Sequence, residues 1–282
     1  MQLATVRLGD ASVAVGVDPG RGVVPLAALA EAMPPTALGV LAEVPPAEFS
    51  ERIAAAPDAA FRPLDGVEFL APYRNPRKIW GIGLNYTEHA DDLTAGYPDE
   101  PASFVKGDHT IIGPGEVIDL PAQSERVTAE AELGIVFGAV CRDVEIPAAL
   151  DQVWGVCPIL DQTAEDILQR NPRFLTRAKN FPGFFSFGPG ITPLTDVLAT
   201  VGSLADIEVS TVRNGGVHRT NRVANMIFSP EVLISFHSKV FPFYPGDLLS
   251  TGTPGAVVIS DGDVAECRIP GVGVLTNPVR RR

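Results

Sequence analysis

The amino-acid sequence predicts a β-rich α+β fold, a β-roll or sandwich preceded by a small N-terminal unit. From about residue 71 onward, short apolar runs are bounded by glycine and proline, of which the chain contains 27 and 26. This texture is typical of strands joined by turns rather than of alternating strands and helices. Earlier in the chain, short alternating runs give way to an alanine-rich stretch. We therefore divide the chain into a small N-terminal domain, 1–70, and a main domain, 71–282.

Local patterns predict the elements in order. Residues 2–17 alternate in polarity around a Gly-Asp turn, which favours a β-hairpin. The alanine-rich stretch up to about residue 60 favours helix, interrupted by proline pairs at 34–35 and 45–46. The run KIWGIGLNY starts the strands of the main domain. At the other end, DGDVAECRI, PGVG and VLTNPV together predict a closing hairpin.

Composition excludes several classes of partner. The chain has 282 residues, 45% of them hydrophobic, which is enough to bury a large core. A formal charge of −12 repels phosphate backbones and anionic lipids, so we expect neither a nucleic-acid nor a membrane partner. No apolar run approaches the roughly 18 residues of a membrane span, and the first residues lack the layout of a signal peptide. We expect a cytoplasmic protein.

Two acids in the stretch VTAEAELGIV raise the first question about function. On a strand, Glu130 and Glu132 share one face and their Cα atoms lie about 7 Å apart. Two like charges in a partly buried place are unfavourable unless a cation or a proton lies between them. With Asp161 as a third oxygen ligand, a hard divalent cation would remove that penalty. The alternatives are solvated acids on an exposed strand face and, for Asp161, capping of a helix.

Four further side chains and one loop are candidates for chemistry. His89 and Asp92 would share one face of a helix, where the acid could orient the imidazole as a general base. Lys106 and Lys179 each lie between apolar runs, and a buried lysine needs a partner or a role. The small residues around Thr253 would let backbone N–H groups approach an anion. The alternatives are a structural histidine, surface lysines and a plain turn.

Eight sequence words, in order, resemble the fumarylacetoacetate hydrolase family, in particular its acylpyruvase and oxaloacetate decarboxylase branch. The resemblance covers roughly residues 72–280. It rests on GLNYTEHADD, PASFVKGDHTIIGPGEVIDLP, AEAELGIVFG, LDQTAED, RAKNFPGFFSFGPGI, NGGVHRTNRVANMIF, YPGDLLSTGTP and IPGVGVLTN. It implies that the main domain is catalytic and has the mixed β-roll of this family, next to a smaller N-terminal domain.

The resemblance also implies an activity and a set of roles. The expected enzyme is a metal-dependent hydrolase that cleaves the C–C bond of an acylpyruvate-type 1,3-diketo acid through a metal-stabilised enolate. The alternatives are an oxaloacetate decarboxylase, an isomerase of an unsaturated oxo diacid, and a catalytically silent binding protein. A small anionic 2-oxo acid as substrate and a homodimer are also implied. The implied roles are Mg²⁺ or Mn²⁺ binding by Glu130, Glu132 and Asp161, catalysis by His89, Asp92 and Lys179, and substrate binding by Tyr86, Lys106 and Thr253.

The chain departs from the family pattern at several positions near these words. Asp92 stands where glutamate is usual, and Glu165 stands where arginine is usual. Leu168 and Arg219 each replace a usual glutamine. These departures leave the substrate open.

Overall fold

The computed structural model describes residues 1–87 and 99–281 and is built mainly of β-strands. The six described α-helices are α1 Ala37–Glu43, α2 Pro46–Ala55, α3 Glu165–Arg170, α4 Leu175–Lys179, α5 Leu194–Val201 and α6 Pro230–Ser238. The strands are β1 Gln2–Leu8, β2 Ala11–Asp18, β3 Gly22–Pro25, β4 Glu68–Leu70, β5 Ile79–Gly83, β6 Ala102–Lys106, β7 Ile111–Ile112, β8 Ile118–Leu120, β9 Val127–Phe137, β10 Val153–Ala164, β11 Phe185–Phe187, β12 Gly190–Pro193, β13 Glu208–Arg213, β14 Gly216–Arg222, β15 Leu248–Ser250, β16 Ala256–Ile259, β17 Val264–Ile269 and β18 Gly273–Arg281.

The strands form two sheets that pack against each other. The larger sheet has the order β3-β2-β1-β12-β10-β9-β15-β5-β6, with β4, β7, β11 and β16 paired beside this path. The smaller sheet has the order β14-β13-β17-β18-β8, and its strands β13, β17 and β18 contact β9 or β10. Among the described strands, β5–β15, β7–β11 and β8–β18 are parallel pairs, whereas the others are antiparallel. The predicted β-rich, mixed roll or sandwich is confirmed.

The N-terminal elements follow the local patterns. β1 and β2 form the predicted hairpin, with Gly9 at a φ of +61° in its turn. The hydroxyl of Thr36 accepts a hydrogen bond from the backbone N–H of Gly39 and so caps α1, whereas α2 begins directly after Pro45. β1 also pairs with β12, so these strands extend the larger sheet. The division into a small N-terminal domain, 1–70, and a main domain, 71–282, stays a prediction.

The antiparallel pair β9–β10 forms the centre of the molecule. Its strands contain 11 and 12 residues, and every one of them is buried. Leu133 and Leu160 belong to the core shared with the smaller sheet, whereas Ile159 belongs to a second core that includes residues of the N-terminal helices. Successive side chains therefore serve two different interiors. The predicted closing hairpin is formed by β17 and β18.

None of the helices in the part of the chain that the structure describes is long and apolar enough to cross a membrane.

Candidate metal centre

Three acids from the central strand pair form a cluster on one face, which we call the acid cluster: Glu130, Glu132 and Asp161. Glu130 lies directly opposite Asp161 in the β9–β10 register. One carboxylate oxygen from each residue lies within 4.8 Å of the others. The exposed fractions of the three residues are 8%, 1% and 0%, so these are not solvated surface acids.

The position of Asp161 differs from the sequence-based expectation. The pattern suggested a residue at the end of a strand, with helix capping as the alternative. β10 instead continues through Ala164, and Ala164 is the residue that precedes α3. Because Asp161 lies inside the strand, its side chain has the fixed direction of the β-pleat.

Both candidate lysines reach the acid cluster and are buried, so they are not surface lysines. Lys179, the last residue of α4, donates hydrogen bonds to Glu130 Oε2 at 2.8 Å and to Asp161 Oδ2 at 2.6 Å. Lys106, the last residue of β6, donates to Asp161 Oδ1 and, at 3.3 Å, to the carbonyl oxygen of Gln162. Five ionisable side chains thus share one buried volume.

Burial and mutual charge shift the pKa values of this group. Burial, assisted by the charges of Asp161 and Glu130, raises the pKa of Glu132 to about 8. Burial, assisted by the charge of Lys179, lowers the pKa of Lys106 to about 8 against the attraction of Asp161. Burial alone would also lower the pKa of Lys179, but its carboxylate neighbours outweigh that effect and raise it. Lys179 is therefore the persistent cation of the group.

Hydroxyl groups orient Glu130 from the same face of the sheet. Glu130 Oε1 accepts hydrogen bonds from Thr163 Oγ1 at 2.5 Å and from Thr128 Oγ1 at 3.2 Å. Sequence analysis did not single out either threonine. The sequence pattern that could have identified them is the two-residue repeat of a strand, which places residues two apart on the same face. Thr128 precedes Glu130 by two residues, and Thr163 follows Asp161 by two.

The other acid of β9 is held by the segment after β15. Glu132 Oε2 accepts hydrogen bonds from Ser250 Oγ at 2.5 Å and from the backbone N–H of Gly252 at 2.8 Å. Gly252 has a φ of +98°, and a Cβ there would lie 2.8 Å from the Cβ of Asn85. Asn85 Nδ2 donates to the carbonyl oxygen of Thr251 at 2.8 Å, so this loop is fixed from both sides.

The three predicted substrate-binding residues have different surroundings. Lys106 belongs to the group described above, whereas Thr253 is buried and its hydroxyl is hydrogen-bonded to Gly255 within its own loop. Tyr86 is fully buried, and its hydroxyl has no hydrogen-bond partner among the described residues. Burial, together with the charge of Glu132, raises the pKa of Tyr86. Its hydroxyl therefore stays protonated and able to donate.

His89 and Asp92, the predicted general base and its acid, lie outside the described residues. The departures from the family pattern lie within them. The carboxylate of Glu165 accepts hydrogen bonds from Arg126 Nε and Gln169 Nε2. Leu168 packs against the core shared by the two sheets. The side chain of Arg219 lies against Gly255, in the loop that contains Thr253.

The donor set of the acid cluster fits a hard divalent cation such as Mg²⁺ or Mn²⁺. It offers carboxylate oxygens only, the ligand type that these ions prefer. The three carboxylates and two ammonium groups carry one excess negative charge when all are ionised. A divalent cation would reverse this excess to one positive charge, which would attract an anionic substrate.

Comparison with known proteins is consistent with this geometry. The fumarylacetoacetate hydrolase C-terminal family matches residues 78–280. The human mitochondrial oxaloacetate tautomerase FAHD2A is 32% identical over 272 residues, which cover 92% of this chain and 84% of that protein. The solved structure of a 2-hydroxyhepta-2,4-diene-1,7-dioate isomerase from Mycobacterium marinum is 30% identical in sequence and has a TM-score of 0.76. The match covers 100% of this chain and 99% of the isomerase chain. The structure of maleylpyruvate hydrolase from Sphingobium sp. SYK-6 is 26% identical, with a TM-score of 0.83 over 100% of both chains.

Proposed function

The chain belongs to the fumarylacetoacetate hydrolase family, and we propose that it is an enzyme that enolises a small anionic 2-oxo acid with the help of Mg²⁺ or Mn²⁺. The observation that carries this proposal is the burial of three carboxylates and two lysines on one face of the central strand pair. Burying a group of this kind costs free energy of folding, because the charges lose their hydration. Proteins tolerate such a cost chiefly at functional sites. Perturbed pKa values in such a group are typical of a functional site.

The proposed roles follow from the chemistry of each side chain. Glu130, Glu132 and Asp161 would hold the cation, which when bound supplies a Lewis acid for the 2-oxo acid. Lys179, whose pKa is raised by the surrounding carboxylates, would stabilise negative charge that develops on the keto oxygen.

The remaining groups would orient the substrate. Lys106, which is bound to Asp161, would attract the substrate carboxylate. The hydroxyl of Tyr86, which has no hydrogen-bond partner in the part of the chain that the structure describes, would donate a hydrogen bond to it. The buried setting strengthens these interactions because it excludes water.

Among the reactions of this family, we propose keto–enol tautomerisation of an oxaloacetate-like acid. The support is the similarity to the human oxaloacetate tautomerase along 92% of this chain. The reaction removes a proton from the carbon next to the keto group and places one on the keto oxygen. No C–C bond is broken and no water attacks.

Hydrolysis of an acylpyruvate-type acid is the second candidate. It is supported by the similarity in structure to maleylpyruvate hydrolase and by the spacing of His89 and Asp92 in the sequence. In this reaction His89 would take a proton from the water that attacks the distal ketone, and the C–C bond would break to release pyruvate.

A panel assay tests the proposal. The purified protein, with and without Mg²⁺, would be given oxaloacetate, an acylpyruvate and an unsaturated oxo diacid, with separate detection of enol–keto conversion, carbon dioxide and released pyruvate. We expect Mg²⁺-dependent enol–keto conversion without C–C cleavage. Cleavage of the acylpyruvate would favour the hydrolase, release of carbon dioxide the decarboxylase, and isomerisation of the unsaturated acid the isomerase. No reaction with Mg²⁺ bound would favour a binding protein.

Two variants sharpen this assay. Lys179→Ala should lower every reaction, because each develops charge on the keto oxygen. His89→Ala should lower hydrolysis by about 10² to 10⁴, yet leave most of any decarboxylation. A hydrolysis rate unchanged in His89→Ala would contradict the proposed role of the histidine.

We also propose a homodimer as the assembly of this chain. Light scattering should then give about twice the monomer mass of 29.9 kDa. A monomer mass at all micromolar concentrations would contradict the proposal.

A further inference from the structure

Phe104 is a buried aromatic side chain that lies beside the acid cluster. Its exposed fraction is 6%, and among the described residues it belongs to neither of the two apolar cores that flank the β9–β10 pair. Phe104 precedes Lys106 by two residues on β6, so both side chains lie on the same face of the sheet. Lys106 reaches Asp161 from that face, which places the ring of Phe104 next to the same buried group.

The ring of Phe104 lies against the ammonium group of Lys179. Lys179 Nζ is 4.6 Å from the centroid of the ring, whereas Lys106 Nζ is 6.0 Å from it. Attraction between an ammonium group and the electron-rich face of an aromatic ring extends to about 6 Å, so Lys179 is well within this range and Lys106 is at its limit. The attraction is strongest where water is excluded, and Lys179 is buried.

Gly81 makes room for this ring. It lies directly opposite Phe104 in the β5–β6 register. A Cβ at Gly81 would lie 2.2 Å from Phe104 Cζ and 2.4 Å from Phe104 Cε2, so any other residue there would push the ring away. Glycine inside a strand weakens the strand and often marks a place where another group approaches closely. The approaching group here is the ring that faces Lys179.

We infer that Phe104 is a positioning residue for Lys179, whose ammonium group it holds over the acid cluster by a cation–π interaction. This inference rests on the proposed function, because it takes Lys179 to stabilise charge on the keto oxygen. The same ammonium group donates to Glu130 and Asp161, both proposed ligands of the cation. The aromatic ring attracts the ammonium group through its quadrupole but has no lone pair to offer a metal ion. It therefore keeps Lys179 in place without competing for the cation.

Nuclear magnetic resonance tests the contact without requiring turnover. The chain contains only four lysines, so protein labelled with ¹³C at the lysine ε-carbon should give few signals, and that of Lys179 is identified by its loss in Lys179→Arg. The ring current of Phe104 should shift the Lys179 ε-protons upfield, and Phe104→Leu should remove this shift. Lys239, which is exposed, is the internal reference. An unchanged Lys179 signal in Phe104→Leu would overturn the inference.

Kinetics on the best substrate of the panel test the role of the contact. Phe104→Leu should lower kcat by about 10- to 30-fold, the loss expected for a desolvated cation–π interaction, and leave KM within about twofold. A trifluorinated phenylalanine at position 104 keeps the shape of the ring but removes the negative potential of its face. It should lower kcat to a similar extent. Gly81→Ala should also lower kcat, because the added methyl group displaces the ring.

Phe49→Leu is the matched control, since Phe49 is also fully buried but packs against Trp154. This variant should be less stable, yet keep the wild-type kcat and the wild-type Lys179 signal. A wild-type kcat in the trifluorinated protein would overturn the inference and leave the proposed function intact, because ring shape alone would then suffice. Loss of the Lys179 shift in Phe104→Leu, in a protein that turns over no 2-oxo acid, would overturn the proposed function and support the contact.

Discussion

The two faces of the β9–β10 pair are equally buried but differ in chemistry where the acid cluster lies. One face carries Ala129, Ala131 and Leu133, which pack in the core shared by the two sheets. The other face carries Glu130, Glu132 and, across the pair, Asp161, with exposed fractions of 8% or less. Burial stabilises the first face through the hydrophobic effect. It destabilises the second, because buried charges lose their hydration even when they are paired.

Along β9, one set of alternate residues thus stabilises the fold, and the other set carries the acid cluster. The hydroxyl and amide donors around Glu130 and Glu132 compensate their charges only in part, since the pKa of Glu132 is still raised to about 8. Neighbouring residues on β9 should therefore respond to substitution in opposite ways.

The largest effect should come from Glu132→Gln. We expect this variant to lose measurable Mg²⁺ or Mn²⁺ binding by calorimetry, because one of the three charged ligands is removed. Activity on the best substrate of the panel should fall by at least about 10³-fold, since a cation contributes several kcal/mol to charge stabilisation. Glu208→Gln, at an exposed position of β13, is the control. Unchanged metal affinity in Glu132→Gln would sink the metal assignment.

The adjacent residue should show the reverse pattern. Leu133→Ala removes a fully buried side chain from the apolar face. We expect the free energy of unfolding in urea to fall by about 2–5 kcal/mol, whereas Mg²⁺ affinity should stay within a few-fold of the wild type. A loss of metal binding as large as that of Glu132→Gln would show that the two faces are not independent.

The acid cluster should also make the stability of the protein depend on pH. Because the pKa of Glu132 is raised from 4.5 to about 8, the folded chain keeps this proton at pH values where the unfolded chain has released it. The contribution of Glu132 to stability is therefore lost as the pH rises from about 5 to about 8. In chelator-treated protein, the wild type should lose about 1–3 kcal/mol relative to Glu132→Gln over this interval. Parallel curves for the two proteins in urea unfolding would contradict the raised pKa.

The sequence predicted one part of this site and not another, for a physical reason. Alternation along a strand is local, so Glu130 and Glu132 could be assigned to one face from their spacing alone. The hydrogen bonds from Ser250 and Gly252 to Glu132 join residues 118 and 120 positions apart, and no local pattern specifies them. The same distinction applies to the fold. The closing hairpin joins neighbouring segments, so the turn residues between them were enough to predict it.

Pairing between distant strands was not evident in this way. The addition of β1 to β12 pairs Leu3 with Ile191, which are 188 positions apart in a chain of 282 residues. Asp161 shows an intermediate case. Its residue type was informative, but the strand continues beyond the point where the apolar run ends.

The smallest effect that we predict comes from Thr163→Val, which keeps the shape of the side chain and removes one donor. Thr163 Oγ1 donates to Glu130 Oε1 at 2.5 Å and so fixes the direction of that carboxylate. Loss of a residue that orients a metal ligand typically weakens metal binding by about 10- to 100-fold, and Thr128 still donates to the same oxygen, so we expect about 10-fold. Thr220→Val, at an exposed position of β14, is the control. Since the new methyl group replaces a hydroxyl that is buried beside a charge, thermal stability without metal should fall slightly as well. Calorimetry with Mn²⁺ separates the two effects, and an affinity equal to that of the wild type would mean that Thr128, Lys179 and the strand backbone orient Glu130 without Thr163.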